Sequence, residues 1–113
     1  MRTKFEKTMR ITSDLLSYCH HHGASEFNVS IVELDDCVSY VVHARNAVIS
    51  DWQLEVLQKS LDAPRQRDVE QDYWELMGDS EDYSELTLIG MSCDEAEVKY
   101  ENGELTIRLK RLD

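Results

Sequence analysis

Glycine and proline are nearly missing from this chain, four and one among 113 residues, which excludes collagen-like repeats and flexible Gly/Pro-rich linkers. Basic residues are also scarce. Twelve Lys and Arg stand against 23 Asp and Glu, a formal net charge of -11 at pH 7. A surface of that sign repels the phosphates of nucleic acid and of anionic membranes, so neither is expected as a partner. A basic protein surface, or solubility alone, accounts for the acidity equally well. The cysteines Cys19, Cys37 and Cys93 are odd in number and widely spaced, with no Cys-x-x-Cys pair. That usage argues against a disulfide framework and for a reducing compartment, the cytoplasm. No run approaches the roughly 18 apolar residues a membrane-spanning helix requires. The charged first residues also lack the apolar stretch of a signal peptide.

What remains is a periodic sequence with enough apolar residues for one core, and 1–113 reads as a single domain. Phe5, Met9, Leu15, Leu16 and Cys19 recur at helical spacing, predicting a helix from about Arg2 to His22, firmest from Ile11, with Gly23 ending it. Phe27, Val29 and Ile31 alternate with Asn28, Ser30 and Val32. Val38, Tyr40 and Val42 alternate likewise, and Asp35-Asp36 between the runs predicts an antiparallel hairpin. Ser50 is placed as an N-cap for a helix over 51–61 with Trp52, Val56, Leu57 and Leu61 on its apolar face, and Pro64 follows. Further helices are predicted over 66–77, carrying Val69, Tyr73, Trp74 and Met77, and over 81–91. Strands over 96–100 and 105–109 close the chain, joined at Asn102-Gly103, a strong hairpin signal. Helix, hairpin, helices, hairpin predicts an α+β two-layer sandwich with helices on one face of a mostly antiparallel sheet.

The stretch Tyr83-Ser84-Glu85-Leu86-Thr87-Leu88-Ile89, followed by Asp94-Glu95-Ala96-Glu97-Val98, resembles the closing segment of the anti-sigma-factor serine kinases. These belong to the GHKL family of ATP-binding domains, which also holds the histidine kinases. The family pattern is Gly-x-Gly-Leu-x-Leu-Ile and then Asp-Glu-Val-x-Val. In this chain the apolar frame survives, but Tyr83 and Glu85 replace the glycines. The run Asp14-Leu15-Leu16-Ser17-Tyr18-Cys19-His20-His21-His22-Gly23 is similar to the family's magnesium-binding helix, with Tyr18 in place of the ligating Asn and Asp14 where many members carry Glu or Asn. On the second hairpin strand, Ala44 stands at the adenine-binding Asp, and Asn46 and Val48 stand at the two glycines of Asp-x-Gly-x-Gly.

The resemblance implies a Bergerat/GHKL-like fold whose nucleotide chemistry is gone. Alanine cannot accept the adenine hydrogen bond, and Cβ atoms block the approach of backbone N–H groups to phosphate. A carboxylate at Glu85 would also repel a triphosphate. No catalytic residue, metal or cofactor is therefore expected. The expected function is a non-catalytic regulatory module that binds a protein partner, a homodimer being one form of this. A small-ligand sensor using a cleft lined by Asp14, Tyr18, Ala44, Asn46, Tyr83 and Glu85 is the alternative, and an active serine kinase with displaced motifs is the third reading.

Other chemistry-bearing residues carry less. In Cys19-His20-His21-His22 consecutive helix positions point about 100° apart, so the four cannot converge on one ion. Solvated histidines at a helix C-terminus explain the run. Cys93, His43 and Asp94 lack any signature of a catalytic constellation. Trp52, Tyr73 and Trp74 are expected on helical faces, with at least one tryptophan in the core.

Overall fold

The computed structural model describes residues 3–68 and 85–112. Helix α1 spans Lys4–His21, β1 Glu26–Glu33, β2 Cys37–Arg45, α2 Asp51–Leu61, α3 Glu85–Met91, β3 Glu95–Glu101 and β4 Glu104–Leu112. The strands form one antiparallel sheet in the order β1-β2-β4-β3. The described domain is thus α+β, with helices flanking a four-stranded open sheet. The sequence-predicted helix over 66–77 lies, beyond Asp68, outside the described residues, as do residues 81–84 of the predicted third helix. No described helix is long and apolar enough to cross a membrane.

Local chemistry sets the boundaries of several elements. Thr3 caps α1 by accepting a hydrogen bond from the Glu6 amide at 3.1 Å, which starts the helix close to the predicted Arg2. Gly23 leaves it at φ 89°, a conformation that favours glycine. Ser50 and Gln53 form a reciprocal capping box at the start of α2. Asp35-Asp36 turns β1 into β2, with the Leu34 amide donating to the Cys37 carbonyl at 2.8 Å. Asn102 and Gly103, at φ 52° and 78°, supply the two positive φ angles of a tight turn between β3 and β4.

One face of the sheet is buried. Val38, Tyr40, Val42 and Ala44 of β2 point to the same side as Leu105, Ile107 and Leu109 of β4. Against them pack Ile11, Leu15 and Cys19 of α1, Leu57 and Leu61 of α2, and Leu88 and Ile89 of α3. Each fully buried aliphatic side chain contributes about 2 kcal/mol of transfer free energy.

Two of the expected faces need correcting. Phe5 is 61% exposed and Met9 is half-exposed, whereas Thr8 and Thr12 are buried on α1 instead. Both threonines turn their hydroxyls back onto the helix, to the carbonyls of Lys4 and Thr8, and so enter the core without an orphaned donor. Trp52 is 71% exposed, because the inward stripe of α2 is Leu54, Leu57 and Leu61 rather than Trp52 and Val56. Trp74 lies outside the described residues.

Helices α2 and α3 approach each other closely at Gly90. A Cβ there would sit 2.3 Å from the Ser60 carbonyl oxygen and 3.0 Å from Leu61 backbone atoms. Backbone cannot yield as a flexible side chain can, so α3 rests directly on the end of α2. Gly90→Ala should destabilise the domain by about 3 kcal/mol, measured as a lowered urea midpoint, despite the higher helix propensity of alanine.

Candidate functional site

The loop that follows β2 carries the polar chemistry of the site. Asn46 takes φ 68°, the left-handed region in which asparagine is tolerated better than most residues. Its side-chain amide donates to the Ser25 hydroxyl at 2.7 Å, which holds the loop to the start of β1. The next three residues are bound by hydrogen bonds from three directions. The Ala47 amide donates to the Gly103 carbonyl at 3.1 Å, and the Val48 amide to the His22 carbonyl at 2.8 Å. The Ile49 amide donates to the Tyr100 hydroxyl at 3.3 Å, and that hydroxyl donates to the Ala47 carbonyl at 2.7 Å. Every one of these three amides is therefore committed within the chain. The clamp joins the end of α1, the last inward residue of β3 and the β3–β4 turn at one place.

The sequence-predicted cleft residues that the structure describes stand in different states. Tyr18 is half-buried on α1 and its ring lies against His22, with centroids 4.4 Å apart. Burial raises the Tyr18 phenol above its ordinary value, with a smaller contribution from Cys19. His22 in turn reaches the Val48 carbonyl through Nδ1 at 3.4 Å. Ala44 is fully buried in the inward row of β2 and presents only a methyl group. Asp14 is one turn before Tyr18 and forms an ion pair with Arg10 at 3.7 Å. Glu85 is the first residue of α3, and Tyr83 lies outside the described residues.

Two grooves on the described surface lie elsewhere. A groove of about 530 Å³ runs beside α1, lined by Met9, Leu16 and Phe27 among others. Another, of about 620 Å³, is lined by acidic Asp94, Glu95 and Glu97 and basic Arg108 and Lys110 near the β3 edge. Neither is lined by Asp14, Tyr18, Ala44 or Asn46. His20 and His21 are exposed with ring centroids 6.5 Å apart, while Cys19 is buried.

Asp94, the first acid of the Asp-Glu-Ala-Glu-Val run, has a structural position. Its carboxylate accepts from Arg65 at 2.7 Å and from the Leu112 amide at 2.6 Å, and Arg65 also donates to the Leu112 carbonyl. The run thus ties the segment after α2 to both strands of the second hairpin. Glu95 and Glu97 stand on the exposed side of β3, while Ala96 and Val98 pack against the core.

No family model matches the chain, and no curated protein matches its sequence.

Sequence reasoning did not find the clamp residues Tyr100 and Gly103. The only signal was the Asn-Gly turn, which fixes where Gly103 lies but not what its carbonyl receives. Tyr100→Phe removes one hydroxyl that both donates and accepts, and should cost about 2 kcal/mol of stability with faster hydrogen exchange at the Ile49 amide.

The Cys19 thiol is pushed up to about 11 from its ordinary 9.0, chiefly by burial. An unfolded thiol ionises near 9, whereas the folded one stays neutral, so stability is full below that pH and falls as pH rises toward about 11. Urea unfolding should show a loss of roughly 2 kcal/mol across this window, and Cys19→Ala should lack that component.

Proposed function

We propose that this chain is a non-catalytic regulatory module that binds a protein partner, built on a histidine-kinase-like ATPase fold whose nucleotide site has been lost. The observation that carries the reading is the clamp on residues 46–49. Where the GHKL pattern has Asp-x-Gly-x-Gly, this chain has Ala44, Asn46 and Val48. Asn46 keeps a left-handed backbone in the place of the first glycine, so the turn survives the substitution. The amides after it donate to Gly103, His22 and Tyr100, leaving none of the three to receive phosphate oxygens. Tyr18, in the position of the magnesium-binding asparagine, packs on His22 instead of presenting an amide oxygen.

The element order supports the same reading, since helix, hairpin, helices and hairpin follow each other as the resemblance requires. The net charge of -11 disfavours a nucleic-acid or anionic-membrane partner and leaves proteins as the class to be met. Three free buried thiols suit a reducing, cytoplasmic setting. The ligand-sensor reading is the weaker one, because Ala44 is sealed in the core and Asp14 pairs with Arg10.

Isothermal titration of the full chain with magnesium-ATP tests the loss of the nucleotide site. The expected result is no saturable heat up to millimolar ligand, together with no incorporation of phosphate into candidate protein substrates. Tight, magnesium-dependent binding would overturn the proposal.

A further inference from the structure

We propose that two copies of this chain join along β1, pairing their first strands about a two-fold axis through Val29. Strand β1 is an end strand of the sheet, bonded to β2 alone among the described residues. The direction of its outer groups follows from the register. The Leu34 amide bonds to the Cys37 carbonyl, and the ladder then runs without a break from Glu33↔Val38 to Glu26↔Arg45. Hydrogen-bonded pairs alternate along an antiparallel ladder. Val32, Ser30, Asn28 and Glu26 therefore turn their backbone groups toward β2, and Phe27, Val29, Ile31 and Glu33 turn theirs outward.

Edge strands of monomeric proteins are usually protected by proline, lysine or an inward charge. The centre of this one, Phe27-Asn28-Val29-Ser30-Ile31, has none of these. Phe27 and Val29 are 38% and 39% exposed although their side chains lie on the helix-covered side of the sheet. Beside them runs the second stripe of α1. Met9 and Leu16, with the small residues Thr12, Ser13 and Ser17, form with Phe27 the apolar groove of about 530 Å³. Edge and groove together make one continuous apolar surface.

A second copy is the occupant this surface fits, because the strand is complementary to itself. A two-fold axis at Val29 places Val29 against Val29 and Phe27 against Ile31 twice, three apolar pairs in all. The pairs fall on residues whose backbone groups face outward, as hydrogen bonding between strands demands. Moving the axis one residue toward the C-terminus sets Phe27 against the Glu33 carboxylate and leaves two apolar pairs. Moving it one residue the other way also leaves two, with Ser25 against Ile31. In the favoured register Glu33 meets Ser25 and Glu26 meets Val32, so no like charges stand opposite each other. The central residues 27–31 are uncharged, with Glu26 and Glu33 only at the ends of the strand, so the middle of the edge does not select a basic partner. The pairing is isologous and closed, which limits it to a dimer. It also brings the two α1 flanks together over the junction, where Ser13 and Ser17 allow close approach.

This inference names the partner within the interaction reading above and does not depend on the nucleotide site. Sedimentation equilibrium of the full chain across micromolar to sub-millimolar concentrations should show a dimer. Val29→Lys puts a charge at the axis and should give a monomer with unchanged circular dichroism. Val29→Pro removes an outward amide that β2 does not use, and should do the same. Should either variant fail to fold, Val29→Cys supplies the independent reading. Paired residues there would lie about 5.5 Å apart at Cα, within disulfide reach, and oxidation should cross-link the chain into a covalent dimer. A monomeric wild-type chain overturns the proposal, as does a dimer that survives both substitutions or a Val29→Cys chain that does not cross-link. Because titration with ATP reads a separate property, a monomer that ignores ATP would refute the self-pairing and leave the loss of the nucleotide site intact.

Discussion

The inward row formed by Val38, Tyr40, Val42 and Ala44 on β2, continued by Leu105, Ile107 and Leu109 on β4, is the surface every described helix must cover. A strand alternates its side chains, so one register places all of these residues on one side and a slip of one residue would place none. Helix α1 meets this demand with Ile11, Leu15 and Cys19, and α3 with Leu88 and Ile89. Both helices are held where they are by backbone constraints outside the apolar contact itself, Gly23 at the end of α1 and Gly90 against the end of α2. The clamp on residues 46–49 is a further consequence. Once α1 and the β3–β4 turn converge on the same end of the sheet, the loop leaving β2 has to pass between them. Its amides are met by His22, Gly103 and Tyr100 because those groups are already there.

Much of the fold was legible in the residues, for reasons that differ by element. Strand alternation on β2 and β4 is strict, since one side is fully buried and the other is not. Caps and turns were equally clear, because Ser50 and Asn102-Gly103 act through local backbone chemistry that tertiary packing does not override. Helix faces were harder. On α1 and α2 two apolar stripes compete, and spacing cannot distinguish the one that meets the sheet. Phe5, Met9, Trp52 and Val56 satisfied the helical period yet face outward, while Thr8 and Thr12 entered the core through hydroxyl bonds to the helix backbone that a hydropathy pattern does not register.

Less of the candidate site could be read in advance. Set against the GHKL pattern that the proposed function invokes, Tyr18, Ala44 and Asn46 lack the groups a nucleotide site would need, and this much is a property of residue types. What replaces those groups depends on neighbours far away in sequence. Asn46 bonds to Ser25, Val48 to His22, and Ile49 to Tyr100. None of these pairs has a spacing that a motif could encode. Asp94 shows the converse case, a residue singled out by its motif whose carboxylate binds Arg65 and the Leu112 amide.

The sheet order β1-β2-β4-β3 divides the pairings into two kinds. Both outer ladders close through two-residue turns and form between neighbours in the chain, whereas the β2–β4 seam alone joins residues separated by more than half its length. Bringing that seam together carries the loop-closure entropy, which grows only as the logarithm of the intervening length. Additional residues between the hairpins would therefore cost the native state little. Folding speed is a different matter, because the central ladder is made of contacts distant in sequence, and such contacts slow folding. A domain connected in this way can lengthen its middle without losing its architecture, provided the single long-range ladder keeps its register.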